Sequence, residues 1–170
     1  MTSPSLDELR ARMRDLDCRL LRALSDRARF PRDPYPIWPA NNPRLPAPPL
    51  AEILLAIAPA GTAATILPVE SANRELAAAL VARQQLAAEI AAEKCRLLSA
   101  EAREAIAFAD RERLLTLLTD LATELRVLDF IRVNAVRFAP DLPDDLASLL
   151  WREYIIPWTK QSELDHLLAP

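Results

Sequence analysis

The chain has one glycine among its 170 residues, and this count constrains the fold more than any other feature of the sequence. Folds built from strands need glycine at tight turns, where the backbone adopts positive φ angles that other residues avoid. Much of the remaining chain is alanine, leucine, arginine and glutamate, all of which are good helix formers. The sequence therefore predicts an all-α protein, and its length suits a single domain that spans residues 1–170.

Net charge and the distribution of apolar residues also limit which kinds of partner and which cellular compartment are expected. The formal net charge is −3 and no basic face is evident, which argues against nucleic acid as a partner. The N-terminal residues lack the apolar run of a signal peptide, and no stretch approaches the roughly 18 apolar residues of a membrane span. We therefore expect a cytoplasmic protein that does not enter a membrane.

Metal and nucleophile chemistry has little support in the sequence. Cys18 and Cys95 are too few for a disulfide framework and belong to no cluster with metal-ligand spacing, so buried free thiols are the simplest interpretation. His166 is the only histidine, which removes a histidine metal site and makes a histidine-based triad hard to build. We predict neither a metal nor a cofactor.

Apolar periodicity predicts a bundle of four long helices. Ser5 and Glu8 have the spacing of a capping box that would start the first helix. Pro157 lacks the N–H that a continuous helix needs, so it is expected to kink or restart the fourth. The predicted spans are 6–29, 72–98, 101–127 and a fourth helix that begins near Pro143.

A proline-rich connection, residues 31–70, joins the first two long helices. Eight of the fifteen prolines lie between positions 31 and 49, a density that forbids helix. The large apolar side chains of Tyr35, Ile37 and Trp38 favour an ordered wrap over the bundle instead of a free linker. The remaining predictions are a short helix at 51–58, a loop at 61–68 and an irregular segment at 130–143.

The second long helix carries charge in the seam that should face other helices. Arg83 and Lys94 occupy heptad positions that are otherwise apolar. They lie eleven residues apart, about three turns, so their side chains point in nearly the same direction. Ala87 and Ala91 between them leave space, and two cations over a gap favour the binding of an anion.

The other predicted helices repeat this pattern of polar groups in apolar stripes. Thr159 and Glu163 share the inner face of the last helix, Glu112 lies at the centre of a stripe in the third, and Arg10 borders the stripe of the first. One interpretation is a pocket for an anionic ligand. The other is a network of buried ion pairs that holds the helices in register.

Four stretches of the sequence match a known family. They are LDELRARMRDLDCRLLRALSDRARF, NNPRLPAPPLAEILLAI, RQQLAAEIAAEK and LPDDLASLLWREYIIPWTKQSELDHLL. The more specific features are the arginine and lysine eleven residues apart, and an I-P-x-T-K core with an acidic residue four positions after the threonine. Together the stretches cover well over half of the chain and resemble the all-helical chorismate mutases of the eukaryotic-type branch. The chain is shorter where larger members carry regulatory helices, so control by aromatic amino acids is not expected.

The resemblance implies an isomerase that rearranges chorismate to prephenate in aromatic amino acid biosynthesis, the shikimate-pathway route to phenylalanine and tyrosine. It also implies a homodimer. This pericyclic reaction needs no cofactor, because the enzyme holds one conformer and stabilises developing charge. Matching positions to the family motifs assigns the catalytic roles to Lys94, Glu163 and Arg83, and the substrate-binding roles to Arg10, Arg83, Lys94, Glu112, Thr159 and Glu163.

Each role follows from a matched position. Arg10 and Arg83 would bind the two carboxylates of chorismate, and Lys94 would donate to its ether oxygen. Glu112 would hold the substrate hydroxyl, although Phe108 stands one turn earlier, where the family has Asp or Asn. A protonated Glu163 would donate to the ether oxygen from the other side, so activity is expected to fall as the pH rises.

Other functions fit the same residues. An isochorismate-pyruvate lyase on the same scaffold would share most of the pocket. A non-catalytic helical interaction module would use the seam charges as structural ion pairs. A degenerate mutase would bind chorismate without turning it over.

Overall fold

The computed structural model describes residues 4–31, 50–59, 66–97, 100–143 and 145–169. Every regular element in these ranges is a helix, so the predicted all-α helical bundle is confirmed. The α-helices are α1 Leu6–Ala28, α2 Leu50–Ile57, α3 Ile66–Leu97, α4 Ala100–Ala107, α5 Arg111–Leu118, α6 Leu121–Phe138, α7 Leu146–Leu150 and α8 Ile156–Leu167, and a π-helical turn, Trp151–Ile155, joins α7 to α8.

The capping box predicted at the start of α1 is present. The Ser5 hydroxyl accepts from the Glu8 N–H at 3.3 Å, and the Ser5 N–H donates to the Glu8 carboxylate at 2.7 Å. The bond from the Ser5 N–H, and a second one that the Ser5 hydroxyl donates to the same carboxylate at 2.9 Å, lower the pKa of Glu8. The capping box satisfies two of the N–H groups that the first turn of any helix leaves without intrahelical partners.

The main apolar core lies where α1, α2, α3, α6 and the π turn meet. Leu24 of α1, Leu80 of α3, Ile131 of α6 and Trp151 of the π turn are fully buried there. Helix α3 packs along both α1 and α8. Burying each large apolar side chain contributes about 1.5–3 kcal/mol, so this contact fixes the relative positions of the helices that carry the predicted site residues.

The predicted start of the second long helix was wrong. Helix α3 begins at Ile66, six residues before the predicted start at Ala72. Pro68 falls in its first turn, where no N–H partner is required, so the proline does not prevent helix there. Of the predicted loop at 61–68, residues 61–65 lie outside the described residues.

The predicted third helix, 101–127, is broken twice. The Asp110 side chain accepts from the Arg113 N–H and starts α5, and the Asp120 side chain accepts from the Thr123 N–H and starts α6. Ala109, just before the first of these caps, has a φ of 52°. A short aspartate side chain competes for backbone N–H groups and favours a new helix start over continuation.

The segment predicted to be irregular, 130–143, is helical over more than half of its length because α6 continues to Phe138. Its β-branched residues lower helix propensity only slightly. Ile131 is fully buried in the core, and Phe130 and Phe138 pack against it. Packing therefore outweighed propensity, and only the residues after Phe138 connect α6 to α7.

The prediction for Pro157 is confirmed. The π turn precedes it, the Ile156 N–H donates to the Trp151 carbonyl five residues back, and α8 starts with Pro157 in its first turn. Residues eight apart in an uninterrupted α-helix differ in direction by about 80°. Because a π turn absorbs one extra residue, Trp151 and Thr159 point to within about 20° of each other. Helix α7, which precedes the π turn, starts at Leu146, slightly later than the predicted Pro143.

The short helix predicted at 51–58 is present as α2, and its residues Ile53, Leu54 and Ile57 are buried in the main core. The proline-rich wrap, including Tyr35, Ile37 and Trp38, lies outside the described residues. Within the described part of the chain, no helix combines the length and the apolar character needed to cross a membrane.

Candidate functional site

A cavity of about 420 Å³ lies between α1, α3, α6 and α8. Ligand pockets in proteins typically measure about 300–1,000 Å³, so this volume suits a small molecule. Apolar walls come from side chains such as Ile90, Val127 and Phe130, and the polar groups come from all four helices. Five of the six predicted site residues line it: Arg10, Arg83, Lys94, Thr159 and Glu163.

Arg83 is held by a buried network. Its Nε donates to Asp17 Oδ1 at 2.7 Å, and the indole N–H of Trp151 donates to the same oxygen at 3.2 Å. A second nitrogen of Arg83 donates to the Thr159 hydroxyl, which donates in turn to the Ile155 carbonyl at 2.6 Å. These bonds fix the plane of the guanidinium. The π turn makes them possible because it brings Trp151 and Thr159 to the same side of the helix.

Asp17 was not among the predicted site residues, although it is only 2 % exposed and forms the centre of this network. A signal for it existed in the sequence. Asp17 lies four residues after Met13 and three before Leu20, so it interrupts the apolar stripe of α1 in the same way that Arg83 interrupts the stripe of α3.

Lys94 and Glu163 form a direct ion pair between α3 and α8. The Lys94 ammonium donates to the two carboxylate oxygens of Glu163 at 3.0 and 3.3 Å. The Glu163 side chain is 9 % exposed and that of Lys94 is 26 % exposed, so solvent screens the pair only in part. The two groups predicted to flank a ligand oxygen therefore lie side by side.

Arg10 lies at the N-terminal end of α1 and belongs to the cavity of its own chain. Its side chain is 40 % exposed and is 3.6 Å from the Asp7 carboxylate, one turn earlier. A surface pair of this kind contributes about 0–1 kcal/mol. Arg10 is therefore held far less firmly than Arg83 and can turn toward a ligand at little cost.

The position predicted for Glu112 was wrong. Glu112 is exposed on α5 and does not line the cavity, and its stripe neighbours Phe108 and Leu115 are 76 % and 38 % exposed. The prediction assumed one continuous helix. The break at Asp110 changes which face of the chain points inward, so the apolar spacing around Glu112 did not indicate burial.

Asp120 and Glu124 are the acidic side chains that line the cavity where Glu112 was expected. Both line the cavity from the N-terminal end of α6. Asp120 accepts from the Thr123 hydroxyl at 2.6 Å and from the Thr123 N–H at 3.0 Å, which lowers its pKa. Glu124 pairs with Lys160 of α8 at 2.5 Å. The run DLATE places an aspartate four residues before a glutamate, the residue types that the resemblance calls for, whereas Glu112 has Phe108 at the same spacing.

The predicted gap beside Ala87 and Ala91 was also wrong. Both residues are fully buried, and neither lines the cavity. Small side chains at these positions are packed against neighbouring helices, as protein interiors generally are. The exposed lining residues are Asp7 and Arg14 of α1 and Asp120 and Arg126 at α6, so the cavity meets solvent beside these two helices.

The charges around the cavity are nearly balanced, with six cationic and five acidic side chains. Four of the cations pair with carboxylates of the lining, namely Arg83, Lys94, Lys160 and, at the longer distance of 3.6 Å, Arg10 with Asp7. The exposed side chains of Arg14 and Arg126 form no ion pair with any described residue. With Arg10 they place three cations on this side of the cavity against Asp7 and Asp120, a small positive excess that favours entry of an anion.

Among the described residues, no group of three or more His, Cys, Asp or Glu side chains is arranged to hold a metal ion. A search of protein-family models finds none that matches the chain, and no curated protein matches it. A functional assignment therefore depends on the motifs quoted above and on the geometry of the cavity.

Proposed function

We propose that the protein is a chorismate mutase that rearranges chorismate to prephenate. The observation that carries the proposal is the convergence of Arg10, Arg83, Lys94, Thr159 and Glu163 on one cavity of suitable size. These residues come from three helices that are far apart in sequence. Spacing alone puts Arg83 and Lys94 on one helix face and Thr159 and Glu163 on another, but it does not require that the three helices bring these faces together.

The substrate is a small dianion, and the cavity offers cations in two environments. The guanidinium of Arg83 is buried and oriented, and the guanidinium of Arg10 is half-exposed and paired only with Asp7. A guanidinium binds a carboxylate with two parallel hydrogen bonds, so the pair suits the two carboxylates of chorismate. Arg83 would fix one end of the substrate, and Arg10 would close on the other.

Lys94 is the group proposed to lower the barrier. Negative charge develops on the ether oxygen only as the C–O bond breaks, so a cation at that atom stabilises the transition state more than the substrate. Glu163 pairs with Lys94 at 3.0 Å and would border the same oxygen. Glu124 takes the role first assigned to Glu112 and would bind the substrate hydroxyl, with Asp120 one turn before it.

A second candidate function has a specific observation in its favour. Arg83, Lys94 and Lys160 are each paired with a carboxylate, as in a bundle whose buried ion pairs set helix register. In that case the protein is a non-catalytic helical module. Chorismate would then neither be converted nor raise the melting temperature.

The deciding experiment follows the loss of chorismate absorbance with purified protein and identifies the product. Lys94→Met removes the charge and keeps the length of the side chain. Arg12→Met is the matched control, because Arg12 also lies on a long helix and in an ion pair, with Glu89, but outside the cavity. Prephenate formation by the wild type and Arg12→Met, with loss in Lys94→Met, would support the proposal. Conversion of isochorismate to pyruvate, with chorismate left intact, would assign the lyase reaction instead.

A further inference from the structure

Lys160 lies on α8 directly after Thr159, and its side chain also lines the cavity. Its ammonium lies 2.5 Å from Oε1 of Glu124, so this ion pair joins α8 to α6. The two side chains are 29 % and 24 % exposed, whereas those of the Arg83–Asp17 pair are 5 % and 2 % exposed. The pair between Lys160 and Glu124 is therefore open to a molecule in the cavity.

The contact with Lys160 leaves one oxygen of Glu124 for a ligand. Oε1 is fully buried beside the ammonium, although part of the side chain is exposed. The exposed part comes from the rest of the side chain, which consists of Oε2 and the methylene groups. Within the described part of the chain, no hydrogen bond uses Oε2. This oxygen can therefore accept a hydrogen bond from a ligand.

Two features hold the Glu124 carboxylate in place before a ligand arrives. One is the ammonium of Lys160. The other is the position of Glu124 in the first turn of α6, where the helix N-terminus favours negative charge. A glutamate loses rotamer freedom when it is ordered, so a carboxylate that is already ordered binds a ligand more strongly than a mobile one.

We propose that Lys160 is a positioning residue that directs Oε2 of Glu124 toward the substrate hydroxyl, and that the pair thereby selects substrates that carry this hydroxyl. The inference rests on the proposed function, in which Glu124 binds the hydroxyl of chorismate. Lys160 acts through Glu124 and does not contact the substrate, unlike Arg10 and Arg83. An ion pair that served only helix register would have no effect on the choice of substrate.

The test compares chorismate with an analogue in which hydrogen replaces the ring hydroxyl. No bond that forms or breaks in the rearrangement includes this hydroxyl, so both compounds can react. Lys160→Met should lower kcat/KM for chorismate by roughly tenfold, as for the loss of one hydrogen bond, and change it for the analogue by less than about twofold. The loss should appear mainly in KM, because the hydroxyl is bound in the substrate and in the transition state alike.

Further variants separate positioning from a structural effect. Lys160→Arg keeps the positive charge and should retain the preference for chorismate. When Glu124→Gln has removed the charge that pairs with Lys160, adding Lys160→Met should change kcat/KM by less than about threefold, because the two effects are coupled. Arg111→Met is the matched control and should leave both rates unchanged, since Arg111 pairs with Asp165 of α8 at 2.6 Å but does not line the cavity.

Two outcomes would overturn the inference while the wild type converts chorismate. The first is an unchanged preference for chorismate in Lys160→Met. The second is an equal loss for both compounds, which would mean that Lys160 binds a substrate carboxylate directly. Circular dichroism checks the fold of each variant, and Lys160→Gln replaces Lys160→Met if the apolar side chain prevents folding. A wild type that converts neither compound would overturn the proposed function itself, and this inference with it.

Discussion

Replacing Asp17 by asparagine should destabilise the protein more than the change of one atom suggests. The Asp17 and Arg83 side chains are 2 % and 5 % exposed and lie 2.7 Å apart, so the variant leaves a guanidinium buried without its counter-charge. Removing one partner of a buried pair costs about 3–5 kcal/mol. Asparagine still offers an acceptor oxygen to Arg83 and Trp151, which places the expected loss near the lower end, about 3 kcal/mol.

For a domain of this size, about 1 kcal/mol corresponds to about 2–4 °C in melting temperature. The expected fall for Asp17→Asn is therefore about 6–12 °C, measured by differential scanning calorimetry. The double variant Asp17→Leu/Arg83→Leu should recover part of this loss, because apolar residues often replace a buried ion pair without penalty, while the buried Trp151 N–H loses its acceptor. Glu89→Gln breaks the exposed pair with Arg12 and should cost less than about 1 kcal/mol.

A melting temperature of Asp17→Asn within about 2 °C of the wild type would contradict this prediction, since the buried pair would then be solvated in practice. A double variant as unstable as the single variant would contradict it as well. In that case the cost would come from lost packing and not from the uncompensated charge.

Further predictions concern the cavity, the π turn and the acid stability of the fold. Lys94→Met should lower kcat by roughly 10²–10³, the usual effect of removing one donor to a developing oxyanion, with a smaller change in KM. Glu163→Gln keeps a hydrogen-bond donor beside Lys94 and Glu163→Ala does not, so the glutamine variant should keep more of the wild-type kcat. Pro157→Ala should allow a regular helix, turn Trp151 away from Asp17 and shift the indole N–H signal in the NMR spectrum. The pKa of Asp141 is lowered, first by the hydrogen bond from Arg29 and then by that from Ser25, so its stabilising effect is present above its unfolded pKa and is lost as the pH falls through its folded pKa. Asp141→Asn should therefore flatten the loss of stability below about pH 4, as measured by urea unfolding.

The residues of α3 and α8 show how far the sequence predicts the site. Arg83, Lys94, Thr159 and Glu163 were found because polar residues at core spacing are rare and because long helices keep their periodicity. Asp17 follows the same rule and could have been found in the same way. These predictions needed only helix geometry within one element.

The side of the cavity formed by α6 could not be predicted from helix periodicity alone. Whether the chain continues through Asp110 and Asp120 or restarts there depends on two capping hydrogen bonds and on how much apolar surface each option buries. The difference between these options is about 1 kcal/mol for each cap. One such break moved Glu112 to the surface and left Glu124 as the residue that faces the cavity.

The most direct test of the central claim is the conversion of chorismate by the purified protein, with the product identified. The account predicts prephenate, with turnover lost in Lys94→Met and retained in Arg12→Met. It is contradicted if the folded wild type leaves chorismate unchanged and chorismate does not raise its melting temperature.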